Sequence, residues 1–165
     1  MHDMMMDAVQ GDAEAAFRVG YAFEKGEGVA QNEKEAVRWY TIGANHGGMQ
    51  CQYNLALMFE EGRGCSVDLR RAFHWYEKAA EQGVWEAQYN LGLFLTDGKG
   101  CEIDLILALM WFTLASTKGN AEAIFNRDTL FRHLKPEQRA VSKKWALDWK
   151  NQPWKEQIGL EPSGQ

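Results

Sequence analysis

The chain has 165 residues, 45% of them apolar and 12% aromatic, with only three prolines. That composition excludes a disordered segment, because so many aromatic side chains remove a large apolar area from water on folding. A net charge of −5 and a pI near 5.4 exclude the dominant basic surface that a nucleic-acid binder needs.

Met4 to Ala8 falls where Tyr40 to Ala44 falls 36 residues later, so residues 3–10 read as the remnant of a second helix of a repeat. From there the chain repeats itself. Gly11, Gly47, Gly83 and Gly119 share one register, as do Trp39, Trp75 and Trp111, and Phe17, Tyr53, Tyr89 and Phe125. Each unit opens with apolar residues at helical spacing, for example Tyr53, Leu55, Ala56 and Phe59, which predicts a first helix of about 13 residues.

Gly26-x-Gly28, Gly62-x-Gly64 and Gly98-x-Gly100 then end those helices, supplying positive φ without a Cβ penalty. Asn32, Asp68 and Asp104 follow as N-caps of second helices that run through Ala36, Ala72 and Ala108. Small residues at Gly20, Ala56 and Gly92 let the two helices of a hairpin approach closely. One hairpin cannot bury its apolar face, so the units must stack.

The expected fold is an all-α solenoid of antiparallel helix hairpins, with full repeats at 11–46, 47–82 and 83–118. A partial repeat and cap at 119–150 completes one domain over 1–150. Pro136 opens the terminal helix, which carries Trp145 and Trp149 and lacks the paired glycines. Residues 151–165, with Pro153, Pro162 and Gly164, read as a C-terminal tail.

The pattern Ala87-Gln88-Tyr89-Asn90-Leu91-Gly92, Gly98-Lys99-Gly100, Asp104 and Ala108 resembles the Sel-one-like repeat (SLR) family, a relative of the tetratricopeptide repeat. Leu134-Lys135-Pro136-Glu137-Gln138 is similar to the opening of the terminal helix in many members, with Lys135 in place of a capping Thr. The resemblance covers about residues 11–150. It implies an adaptor that displays its ligand on the concave side lined by first helices, although fold by itself does not dictate function.

Candidate contact residues are those that packing, turns and caps leave unassigned. One column on the first helices holds Arg18, Asn54, Asn90 and Asn126; four residues earlier stand Glu14, Gln50, Glu86 and Glu122. The i, i+4 spacing puts each pair on one helix face, where the Asn amides can hold the backbone of an extended peptide. Met58 and Phe94 lie further along that face, as anchor pockets or as core floor. Trp85 stands where other repeats carry Ala13, Met49 and Ala121, and exposed Trp is enriched in binding hot spots.

The predicted function is therefore a protein- or peptide-binding scaffold, with self-assembly through the solenoid ends as the alternative. Met4, Met5 and Met6 mark one such end. Cysteine-rich relatives suggest a remote third reading, penicillin binding or β-lactamase-like hydrolysis. Against it, the chain has no Ser-x-x-Lys, Gly-x-Ser-x-Gly or His-Glu-x-x-His motif, and Cys51 has Ala44 rather than a cysteine across from it.

Cys65 and Cys101, one repeat apart, are too far separated for a bridge and are expected as free thiols. No catalytic residue, cofactor or metal is expected. The partner is another protein or peptide, not nucleic acid, and weak homo-oligomers are compatible with the pattern. No stretch approaches the roughly 20 apolar residues of a membrane span, and Met1–Gln10 lacks a signal pattern, so the expected location is cytoplasmic. Residues 127–155 hold eight Lys/Arg against three Asp/Glu, whereas residues 1–126 hold ten against eighteen. This basic end reads as a solvated helix face or as a docking patch for an acidic partner.

Overall fold

The computed structural model describes residues 1–151; the tail from residue 152 onward lies outside the described residues. Helices are the only regular elements among them. The described residues form two compact units, 1–79 and 80–151. The first contains α1 (His2–Val9), α2 (Ala13–Lys25), α3 (Glu33–Asn45), α4 (Met49–Glu61) and most of α5 (Leu69–Glu81). The second contains α6 (Trp85–Asp97), α7 (Leu105–Ser116), α8 (Ala121–His133) and α9 (Pro136–Lys150). The remnant second helix expected at the front is α1.

The turns are built as the glycines demand. Gly26, Gly62 and Gly98 end α2, α4 and α6 in the left-handed region at φ of 76°, 70° and 70°. The following N–H groups of Glu27, Arg63 and Lys99 reach back to the carbonyls of Ala22, Met58 and Phe94, closing each helix end. The second glycine faces a separate constraint: a Cβ at Gly64 would collide with the Glu33 carbonyl.

Each loop then ends on its cap. Asn32, Asp68 and Asp104 accept from the backbone N–H groups of Glu35, Arg71 and Leu107 at 3.2, 3.0 and 2.9 Å. Their own N–H groups donate to Phe23, Phe59 and Leu95 in the preceding helix, which fastens the two helices of the hairpin together.

Packing within a hairpin follows the small residues. The Tyr40 ring lies where a Cβ on Gly20 would stand 2.7 Å from it, and the Phe112 ring fills the corresponding space at Gly92. Ala36, Ala56, Ala72 and Ala108 are completely buried. The aromatic columns meet in pairs, Phe17 with Tyr40, Tyr53 with Tyr76 and Tyr89 with Phe112, at centroid separations near 6 Å. Burying one such side chain contributes about 1.5–3 kcal/mol.

The fourth member of that column departs from the expectation. Phe125 is 66% exposed. The cap helix packs on α7, with Trp149 edge-on to Trp111 at 6.0 Å. At its start Pro136 is the first helical residue, and Gln138 Oε1 accepts from the Lys135 N–H at 2.9 Å.

Candidate functional site

In the first unit α2 lies alongside α4, and the candidate polar columns sit on these two first helices. Arg18 is exposed and pairs with Glu14 at 3.0 Å, so the charge at the front of the column is neutralised within its own helix. Gln50 is exposed and Asn54 half-buried on one face of α4. The Asn54 amide makes no hydrogen bond among the described residues.

In the second unit α6 and α8 are joined directly across that same face, because the Asn126 amide donates to the Tyr89 hydroxyl at 3.2 Å. Burial and the nearby Glu122 raise the Tyr89 hydroxyl above its ordinary range, while the Asn126 bond works against them. Asn126 is thus tied down, whereas Asn90, half-buried on α6 next to Tyr89, makes no hydrogen bond among the described residues. Glu86 is half-buried one turn earlier, and Trp85 is half-buried as the first residue of α6.

Two candidates are corrected. Met58 is fully buried and Phe94 is 1% exposed, so both form the floor of their helices and neither is available to a partner. The reason is geometric: each lies four residues before the glycine that ends its helix, on the turn onto which the loop folds back, its carbonyl accepting from the loop N–H of Arg63 or Lys99 and from the thiol of Cys65 or Cys101.

The structure also assembles a cluster that the sequence pattern does not announce. Glu24, with a side chain only 8% exposed, accepts from the Tyr40 hydroxyl at 2.7 Å, from Lys25 Nζ at 2.9 Å and from Arg63 Nη1 at 3.0 Å. Burial would raise its pKa, but these three bonds outweigh it and hold the carboxyl below its ordinary range. Glu60 repeats the motif by accepting from Tyr76 at 2.6 Å. The third repeat changes both partners together, to Thr96 and Phe112, and Thr96 donates to the Gly92 carbonyl instead. That paired switch within one register is the signal by which sequence reading alone can find the cluster.

Gln52 and Gln88 were likewise missed. Both are buried and donate to the Ala44 and Ala80 carbonyls at 3.3 and 3.2 Å, satisfying the ends of second helices.

None of the three cysteines is bridged. The Cys51 sulfur lies against Gly43, not Ala44, and burial, with Glu14 as a smaller contributor, pushes its pKa up to about 12. Burial also raises Cys65 and Cys101. All three are protonated thiols at neutral pH, and hence weak nucleophiles.

This geometry can be set beside known proteins. The model of the Sel1 repeat matches residues 13–48, 50–84 and 85–120. The chain belongs to the Sel1 repeat family. A Sel1 repeat protein from Oxalobacter formigenes has a similar solved structure, 34% identical, with a TM-score of 0.69, covering 72% of this chain and 49% of that one. A second is c5321, a protective antigen present in uropathogenic Escherichia coli strains and displaying an SLR fold; it is 25% identical, with a TM-score of 0.61, covering 98% of this chain and 43% of that one. The chain therefore spans about half the length of these two relatives. None of the curated proteins matches it. No helix among the described residues is long and apolar enough to cross a membrane. Sel1 repeats are in general modules of protein–protein interaction.

Proposed function

We propose that this chain is a protein- or peptide-binding scaffold that contacts its partner through the first-helix face of each unit. The observation that carries the reading is the pair of half-buried amides, Asn54 and Asn90, which make no hydrogen bond among the described residues although their neighbours Arg18 and Asn126 are engaged. A carboxamide offers two donors and an acceptor, the complement of an extended backbone, and a half-buried position strengthens the bonds it makes. Gln50 and Glu86, one turn earlier, extend the polar strip on each unit, and Trp85 adds an aromatic edge to the second.

The test is crosslinked capture from cells of the source organism, comparing the native chain with Asn54→Ala/Asn90→Ala. Loss of one or a few defined partners, with the helical circular dichroism unchanged, is the expected result. Capture that survives the double substitution undiminished would remove this face from consideration.

A further inference from the structure

The cap helix leaves a second surface that the repeat logic does not use. Residues 134–135 join α8 to α9, where residues 98–104 join α6 to α7, so α9 cannot take the position of a regular second helix. Phe131 shows the consequence: its register mates Phe59 and Leu95 are buried, yet it is 47% exposed. Between α7, α8 and α9 a groove of about 430 Å³ opens, with Leu109 and Ala146 on its floor and Phe131 and Leu147 on its walls.

The rim of the groove is cationic. Arg127, Arg139, Lys143 and Lys150 line it against a single carboxylate, Asp128, which is already bound to Arg127 at 2.8 Å. The Arg139 guanidinium carbon lies 4.4 Å from the centre of the Phe131 ring, its Nη2 donates to the Arg132 carbonyl at 3.4 Å, and its buried Nε has no hydrogen-bond partner. Lys143 and Lys150 are exposed and make no ion pair among the described residues. Positions 139, 143 and 150 follow one face of α9 over roughly 16 Å, the span of about five extended residues. In a chain whose net charge is −5, this concentration of unpaired positive charge beside exposed apolar side chains has a specific complement.

We infer that this groove binds an acidic segment of a partner protein, its carboxylates meeting Arg139, Lys143 and Lys150 and one of its apolar side chains entering between Phe131 and Leu147. Arg139 is the organising residue, since its place over the Phe131 ring sets a guanidinium, the natural complement of a carboxylate, beside the apolar wall of the groove. A recessed apolar floor fits a side chain better than it fits a bilayer surface, and the acidic remainder of the chain opposes a polynucleotide. The site shares no residue with the Asn54 and Asn90 surfaces, so either can fail without the other.

The experiment is fluorescence anisotropy on the full chain with three labelled twelve-residue peptides, one of Glu and Leu, one with every Glu replaced by Gln, and one with Lys. Binding of the Glu peptide only, weakened about tenfold or more by Arg139→Glu/Lys143→Glu and by raising salt from about 50 to 500 mM, is expected. Lys150→Glu, at the exposed C-terminal end of α9, gives the same direction of effect if the double variant fails to fold, and Asn54→Ala/Asn90→Ala leaves binding unchanged. Equal binding of the Gln peptide, or an affinity indifferent to these charge reversals, overturns the proposal. So do three other occupants: phosphatidylserine vesicles that bind in place of the peptide with the same Arg139 and Lys143 dependence, a peptide of residues 152–165 that binds more tightly than the Glu peptide, or a dimer in sedimentation that the reversals dissolve.

Discussion

Replacing Glu24 by Ala strands a buried hydroxyl. Tyr40 is fully buried and donates to Glu24 at 2.7 Å; without the carboxylate its O–H loses that acceptor away from water, a penalty of about 1–3 kcal/mol. Losing the bonds from Lys25 and Arg63 adds only about 1 kcal/mol, because the two cations are 47% and 31% exposed and Arg63 keeps Glu61 at 2.6 Å. Glu24→Ala is therefore expected to cost about 2–4 kcal/mol in total. Tyr40→Phe removes one donor from a carboxylate that retains the other two, and should cost about 1–2 kcal/mol.

In the double variant the stranded hydroxyl is gone. Tyr40→Phe made in the Glu24→Ala background should then be neutral or stabilising, giving a coupling of about 1–2 kcal/mol. The pairing of Thr96 with Phe112 in the third repeat shows that a hairpin accommodates the loss of both partners together. Urea unfolding at pH 7, followed by circular dichroism with a shared m value, measures all four proteins. Additive effects, within about 0.3 kcal/mol, would refute the reasoning.

The same cluster has a pH signature. The folded Glu24 carboxyl lies below its ordinary value, so the unfolded chain takes up the proton first. Its stabilisation is fully present above the unfolded-state value of about 4.3 and disappears as pH falls through the lower folded-state value. The stability gap between the native chain and Glu24→Ala should narrow below about pH 4, and a gap of equal size at pH 3 and pH 7 would sink the assignment.

Gly92→Ala places a methyl group inside the Phe112 ring and should destabilise by about 1–3 kcal/mol, read as a lower urea midpoint; an unchanged midpoint would mean that the two helices separate freely. Asp104→Ala removes the acceptor for the Leu107 N–H and should cost about 1 kcal/mol, with Asp104→Asn restoring most of it. Cys51, fully buried with its pKa near 12, should react with iodoacetamide only on unfolding, whereas half-buried Cys65 and Cys101 are modified in the folded chain; rapid labelling of Cys51, followed by mass spectrometry, would contradict its placement.

Periodicity in the sequence determined the helices, their 13-residue first members, the glycine turns and the Asn32, Asp68 and Asp104 caps. Each of these depends on residues within a few positions of one another: a positive φ, a side chain reaching the N–H three residues on, an apolar stripe at 3.6-residue spacing. The columns of Asn54 and Asn90 were legible too, as what remained after such positions were set aside. What escaped was decided by contacts between distant segments. Whether Met58 and Phe94 are surface or floor depends on the loop that folds over them, and a stripe of apolar residues does not say which of its edges is covered. Glu24 meets Tyr40 16 residues away and Arg63 39 residues away, so its protonation is set by neighbours that only hairpin closure and stacking supply. The basic end of the chain was visible as a charge imbalance. Only the packing of α9 on α7, forced by the short link at residues 134–135, turned Arg139, Lys143 and Lys150 into one rim around an apolar floor.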